Sequence, residues 1–309
     1  MNSQAIAANA AAGGDDALAG IVPIERIRRR WPMVLGGLLS LLMVGGLAHE
    51  LLDSGLAGLW RVVPSHPLFW LAFALFYLGP PTFDYVIFRK LWGIPAAGLL
   101  ALHRKRIAND VLIGYSGEAY FYAWARQRTE MVAAPFGAVK DVMILSAIAG
   151  NAVTLAMLAL ALPFAVELLD AQQMRWALGS VAVIIGMSLP FIVFSKRVFS
   201  LDRRTLWWVF AIHCLRIISG TLFVAFAWHF AMIEVSFGVW LFLCAARLLV
   251  TRLPLVPNKD LLFANFAVLI IGQDAALSEL IAFTGALTLL VHVALMAAMG
   301  LLVMVRKRW

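Results

Sequence analysis

Ile107 to Gln127 reads IANDVLIGYSGEAYFYAWARQ. The stretch is apolar enough to enter a membrane, yet it carries Asn109, Asp110 and Glu118. A Gly-Tyr-Ser-Gly turn, Gly114 to Gly117, sits in its middle, and aromatic residues and Arg126 close it. Two readings stand. In the first, residues 107–127 form a re-entrant hairpin that enters the bilayer and turns back at Gly114–Gly117. In the second, the stretch is an amphipathic surface helix with Glu118 in water beside Arg126. Non-helical backbone at membrane depth is tolerated only inside protein or beside water. A hairpin here would therefore line a cavity.

The rest of the chain sets the class. Of its 309 residues, 63% are hydrophobic and 14% charged, and the mean hydropathy is +0.89. A soluble domain is about 45–50% apolar and about 25% charged. A chain this apolar cannot cover its hydrophobic surface with its own core, so lipid must solvate it. Alternating ten-residue strands of a membrane barrel are absent. The fold class is all-α, a polytopic integral membrane helical bundle. Cys214 and Cys244 lie inside apolar runs without metal-type spacing and imply no disulfide framework.

Residues 1–24, rich in Ala, Gly and Asn, read as a disordered tail, and 25–309 as a single transmembrane domain. Met33 to Leu52 is long enough to span and too long for the apolar core of a signal peptide. A second span covers Pro67 to Phe88. Gly79-Pro80-Pro81 interrupts it, and proline there should kink or break the helix. Asp84 follows one turn later. Beyond the opening stretch, spans are expected over 138–164, 176–194, 206–231 and 235–250. Arg252 to Asp260 is a break containing Pro254 and Pro257, Leu261 to Gly272 is short and apolar, and Leu280 to Val305 is the last long span.

The charges test this order. With a cytoplasmic N-terminus, the basic collars at 26–30, 89–106, 126–128, 196–204, 252–259 and 306–308 fall on one side. They hold 20 of the 25 Lys and Arg. That matches the positive-inside rule and predicts a bacterial-type inner membrane protein, N-in and C-in, with about eight spanning helices. The formal net charge of +8 reads as topology and attraction to anionic headgroups, with no nucleic acid partner.

Asn109, Gly114-Tyr-Ser-Gly117-Glu118 and Arg126 resemble the "N, P-x-x-x-G-E, R" pattern of the transmembrane (flippase) domain of lysylphosphatidylglycerol synthases and its stand-alone relatives. The order of elements is also similar: a kinked second span, a polar insert, four spans, a Pro break and a terminal pair, over roughly residues 30–305. The chain departs from the family at two places. Gly114 stands where Pro is usual. Pro257 is followed by Asn258-Lys259-Asp260 rather than a Gly-rich loop and Glu, which puts the lipid substrate in question. The chain stops at Trp309, so the resemblance implies a stand-alone member without the aminoacyl-transferase domain and no synthase activity.

Each polar residue within the apolar runs has two readings. Glu118 marks a pathway if it lies at membrane depth, where an unpaired carboxylate is costly. Arg216 and Arg247 could hold a lipid phosphate through bidentate contacts. Alternatively, Arg216 pairs internally with Asp84, Asp141 or Glu118, and Arg247 snorkels at its helix end. Lys140-Asp141 reads as a self-neutralising pair at a helix start. His213, His229 and His292 show no metal pattern and read as hydrogen-bonded core residues. Gly114-Tyr-Ser-Gly lacks the spacing of a hydrolase elbow.

These readings lead to a lipid-flippase type protein, not an enzyme, without cofactor or metal. Its expected partner is an anionic or aminoacylated phospholipid or a polyprenyl-linked lipid, and a homo-oligomer is left open. Asn109, Glu118, Arg126, Asp84, Arg216 and Arg247 are the expected translocation residues. Gly79, Pro80, Pro81, Gly114, Gly117, Pro254 and Pro257 are the expected hinge and loop positions. Two other classes stay open. One is a membrane-embedded lipid-modifying enzyme, marked by carboxylates or His converging in a pocket. The other is a scaffold or export partner whose polar residues are all internally paired.

Overall fold

The computed structural model describes residues 63–111, 116–126, 135–168, 199–252 and 275–306, with isolated positions between 172 and 186 and at 259, 262, 263 and 267. Among them seven helices are delimited and no strand: α1 (Pro67–Trp92), α2 (Ala97–Val111), α3 (Ser116–Arg126), α4 (Pro135–Leu168), α5 (Arg203–Ala231), α6 (Phe237–Thr251) and α7 (Ala275–Arg306). Four stretches are long and apolar enough to cross a membrane: Pro67–Trp92, Gly137–Pro163, Arg203–Ala231 and Ala276–Met299. The helix expected over 235–250 is α6, with 15 residues. At 1.5 Å per residue it reaches about 22 Å, short of a hydrocarbon core of about 30 Å. The tail 1–24, the expected span at 33–52, and most of 176–194 and 261–272 lie outside the described residues.

Sequence explains the helix ends. Pro67 sits at the start of α1, where its missing N–H costs nothing. His66 Nδ1 accepts the Leu68 N–H at 3.2 Å. Gly93, at φ 62°, ends the helix and donates its N–H to the Arg89 carbonyl. The left-handed conformation favours glycine at this C-cap. Asp202 caps α5 by accepting the Thr205 N–H at 3.0 Å. Hydrogen bonds from Thr205 hold the Asp202 carboxyl below the usual carboxylate range.

The expected break at Gly79-Pro80-Pro81 does not occur, because α1 runs through both prolines. The physical reason lies outside the helix. Pro81 has no N–H to give the Tyr77 carbonyl four residues earlier. Arg106 of α2 donates Nη1–H to that carbonyl instead. One residue on, the Thr82 hydroxyl bonds the Leu78 carbonyl at 2.8 Å. A guanidinium from another helix thus takes the place of the N–H that Pro81 lacks.

The outward faces are apolar. On α1, Leu68, Leu71, Leu75 and Leu78 stand exposed at helical spacing; on α5, Leu215, Ile218, Leu222 and Phe226 do the same. Contiguous exposed apolar stripes of this kind call for an apolar solvent. The opposite faces pack into two clusters. One gathers Phe69, Phe73, Phe76, Trp228, Trp240 and Leu280. The other gathers Ile87, Phe88, Leu102, Phe121, Leu145 and Val209. Both α1 and α5 contribute to both clusters, and their polar residues lie between. Asp84 falls between Tyr77 and Ile87, and Arg216 falls between Val209 and Val224. The two apolar clusters therefore bracket a polar layer within membrane-length helices.

Candidate functional site

The polar layer encloses a cavity of about 340 Å³. This is near the lower end of small-molecule pockets, roughly 300–1,000 Å³. Among its described lining residues five are basic (Lys105, Arg106, Arg216, Arg252, Lys259) and three acidic (Asp84, Asp110, Glu118), a positive surplus among those residues.

Asp84 is the centre of the inner cluster. Its Oδ1 lies 2.5 Å from Arg216 Nη1, and its Oδ2 lies 2.8 Å from Lys105 Nζ. Lys105 also reaches Glu118 Oε1 at 3.5 Å. Arg216 Nη2 donates to the Ser146 hydroxyl at 2.8 Å. Two cations and two carboxylates from α1, α2, α3 and α5 therefore balance one another. Charges placed this deep are costly unless paired, and the pairing answers that cost.

Gly117 brings α3 into this cluster. Its N–H, an orphan donor of the first turn of α3, is taken by Asn109 Oδ1 at 2.7 Å. A Cβ at position 117 would collide with the Lys105 carbonyl and crowd the Asn109 side chain. Glycine thus lets the start of α3 lie on the backbone of α2, which sets Glu118 beside Lys105. Helices α2 and α3 pack together on either side of residues 112–115.

Asp110 belongs to a second network. Its Oδ2 accepts from His292 Nε2 at 3.0 Å and pairs with Arg106 Nε at 3.4 Å. His292 Nδ1 meets the Tyr77 hydroxyl at 2.6 Å. The far wall of the cavity comes from the chain after α6. Arg252 donates Nη2–H to the Thr251 hydroxyl at 2.9 Å, and Lys259 Nζ bonds the Thr251 carbonyl at 2.8 Å. The Arg252 guanidinium occupies the space that a side chain at Gly150 would need.

Two polar groups of the lining are buried. His213 is 1% exposed, and its ring meets the Val142 backbone and no hydrogen-bonding side chain. Glu118 Oε2 is buried and unpartnered. Such atoms are not confined to the cavity, since Thr221 Oγ1 and, in the apolar core, Trp240 Nε1 are unpartnered as well.

The predicted residues separate accordingly. Asp84, Asn109, Glu118 and Arg216 line the cavity together with Pro80 and Pro81. Arg216 has the internal partner Asp84. Arg247 does not reach the cavity; its guanidinium lies over the Phe76 ring at 4.8 Å, beside a separate small apolar pocket. Gly79 has open space where a Cβ would be, so packing does not require glycine there. The Arg126 side chain, Gly114, Pro254 and Pro257 lie outside the described residues. Asp141 is fully buried and accepts the N–H groups of Ser200 and Leu201 at 2.6 and 2.7 Å, besides its 3.6 Å approach to Lys140. Lys105, Arg106, Arg252 and Lys259 were readable only as topological collars. Asp110 stood out as a polar residue of the apolar stretch 107–127, and its i,i+4 spacing from Arg106 is a further local signal.

No protein-family model matches the chain, and no curated protein or solved structure matches it.

Proposed function

We propose that the chain is an inner-membrane protein of lipid-flippase type, N-in and C-in, whose cavity takes the anionic headgroup of a phospholipid or polyprenyl-linked lipid while the tails stay in the bilayer. The observation that carries this reading is the positive surplus of a cavity bracketed by apolar clusters within membrane-length helices. A low-dielectric cavity of one sign focuses its field and concentrates the opposite charge. Arg216 and Arg252 supply planar N–H forks suited to phosphate oxygens. Glu118 holds Lys105 in place. The α2–α3 pair is the re-entrant hairpin in this reading. The likeness to the lysylphosphatidylglycerol synthase flippase domain supports it through Asn109, Gly117 and Glu118.

The test is dithionite quenching of a fluorescent phosphatidylglycerol in proteoliposomes. Wild type should expose inner-leaflet lipid faster than protein-free liposomes, and Glu118→Ala and Arg216→Gln should be slower. No acceleration by wild type, or an unchanged rate in Glu118→Ala, would sink the proposal.

The buried His213 and the Glu118 Oε2 atom, which has no partner, also favour a second reading, a lipid-modifying enzyme using them as acid and base. Asp84 would be no base there, since two cations neutralise it. Mass spectrometry of lipid extracts incubated with the protein would reveal the altered headgroup that this reading requires.

A further inference from the structure

We propose that Arg106 is a headgroup ligand and, at the same time, the latch of α1. An anion that engages its guanidinium releases the Tyr77 carbonyl and lets α1 bend at Pro80–Pro81. This rests on the lipid-carrier reading above and adds to it the residue that couples binding to movement.

Helix α1 carries a defect that it does not repair by itself. Pro80 and Pro81 have no N–H for the Phe76 and Tyr77 carbonyls four residues earlier. Arg106, from α2, donates Nη1–H to the Tyr77 carbonyl. Its Nε lies 3.4 Å from Asp110 Oδ2, and its guanidinium carbon stands 4.5 Å from the centre of the Tyr77 ring. Membrane helices tolerate interior prolines where neighbouring groups satisfy the freed backbone. The continuity of α1 at its prolines thus depends on a side chain of another helix.

That side chain also lines the cavity, together with both prolines. With Nε beside Asp110, the guanidinium edge left for bidentate contact with a phosphate is the one that carries Nη1. The partner given up in the exchange is a neutral carbonyl. An anion offers the same guanidinium a full opposite charge where screening is poor. Arg216 differs, because its Nη1 is held by the Asp84 carboxylate, and an anion would have to displace that charge. The exchange at Arg106 leaves the ion pairs of the inner cluster intact. It draws on the surplus of basic side chains among the described lining residues.

The place of the prolines gives the exchange its consequence. On α1, Phe69, Phe73 and Phe76 precede them and belong to one apolar cluster. Ile87 and Phe88 follow them and belong to the other. These are the two clusters that bracket the cavity. Once the Tyr77 carbonyl loses its donor, the proline pair is the weakest point of α1, and a bend there moves one bracket relative to the other. A carrier needs such a movement to expose one site first to one side of the membrane and then to the other. When the anion leaves, Arg106 returns to the carbonyl and α1 closes again.

The experiment reads the angle of α1 by pulsed electron-spin resonance between nitroxides at Leu68→Cys and Leu100→Cys, both exposed positions. Cys214→Ala and Cys244→Ala remove the native thiols. The full chain sits in phosphatidylcholine bilayers with or without phosphatidylglycerol. Leu68 lies about 18 Å along the helix from Pro80, so a kink of about 20° carries it about 6 Å. Phosphatidylglycerol should therefore shift the label distance by several ångströms. Pro80→Ala with Pro81→Ala restores both N–H groups; it should abolish the shift and stop lipid movement in the dithionite assay. Arg106→Met should show the shifted distance in phosphatidylcholine alone. A shift that persists with both prolines replaced would overturn the inference. So would lipid movement without any shift, and in that case the carrier reading stands. A shift without lipid movement would overturn the carrier reading and leave the latch. A second measurement needs no labels: Arg106→Met should lower the unfolding temperature in detergent far less once both prolines are replaced, because the Tyr77 carbonyl then has a partner within its own helix. Equal losses in the two backgrounds would refute the latch.

Discussion

His292 and His213 are both buried in helices long enough to cross a membrane, and their surroundings differ in every bond. At the seam of α1, α2 and α7, the interactions form a closed ring. The Tyr77 hydroxyl meets His292 Nδ1, His292 Nε2 meets Asp110, Asp110 meets Arg106, and Arg106 returns to the Tyr77 carbonyl. A neutral imidazole with its proton on Nε2 satisfies both neighbours. At the cavity, His213 lies in the same polar layer as a four-charge cluster and meets the Val142 backbone. The bonds of the seam close on one another and tie three helices together, although Arg106 and Asp110 also line the cavity. The described lining of the cavity holds more basic than acidic side chains, which favours an anion.

The contrast can be broken most strongly at Asp84. Asp84→Asn leaves Lys105 and Arg216 facing each other without their shared carboxylate. Losing one partner of a buried charge pair costs about 3–5 kcal/mol, so thermal unfolding in detergent should show the largest drop here. Adding Lys105→Met to Asp84→Asn should recover part of it. A loss smaller than that of any seam variant would mean the cluster is wetter than its burial implies.

His292→Phe comes next. It strands the Tyr77 hydroxyl and removes one of the two partners of Asp110. An unsatisfied buried group costs about 1–3 kcal/mol, and unfolding measurements should fall in that range. A neutral result would remove the seam's structural role.

His213→Phe should do least. It loses one contact, with the Val142 backbone, and strands no side chain. The net worth of a typical hydrogen bond is about 0.5–1.5 kcal/mol, so the loss should stay below that of His292→Phe. A loss larger than that of His292→Phe would bring the two histidines together.

Much of this arrangement had local signals in the chain. Apolar runs and their lengths announce α1, α4, α5 and α7, and the polar insert at 107–127 announces α3 and the end of α2, whose start at Ala97 lies in what reads as a basic collar. Glu118 stood out as a carboxylate within an apolar stretch, and Gly117 through the Gly-Tyr-Ser-Gly turn and the family resemblance. Other features had no local signal. The prolines at 80 and 81 indicate a break when α1 is read alone, and only Arg106, 29 positions away from Tyr77, explains why the helix continues. Arg247 reads as a phosphate ligand or a snorkelling residue, and its contact with the Phe76 ring had no local signal. Lys105 and Arg106 read as part of a cytoplasmic collar because charge patterning counts residues without knowing where they point.

Sequence by itself determined the solvent this protein requires and the helices it forms. Hydropathy and periodicity are sums over neighbours, and 63% hydrophobic residues with four helices long and apolar enough to cross a membrane favour an apolar solvent. The partner of each charge was decided only by tertiary structure. Asp84 meets Lys105 across 21 positions and Arg216 across 132, because the energy of a buried ion pair depends on distance in space and local dielectric rather than on separation along the chain. The glycine at 117 follows the same division. Its residue type is visible in the sequence, and the Lys105 carbonyl that requires it is visible only once α3 lies on α2.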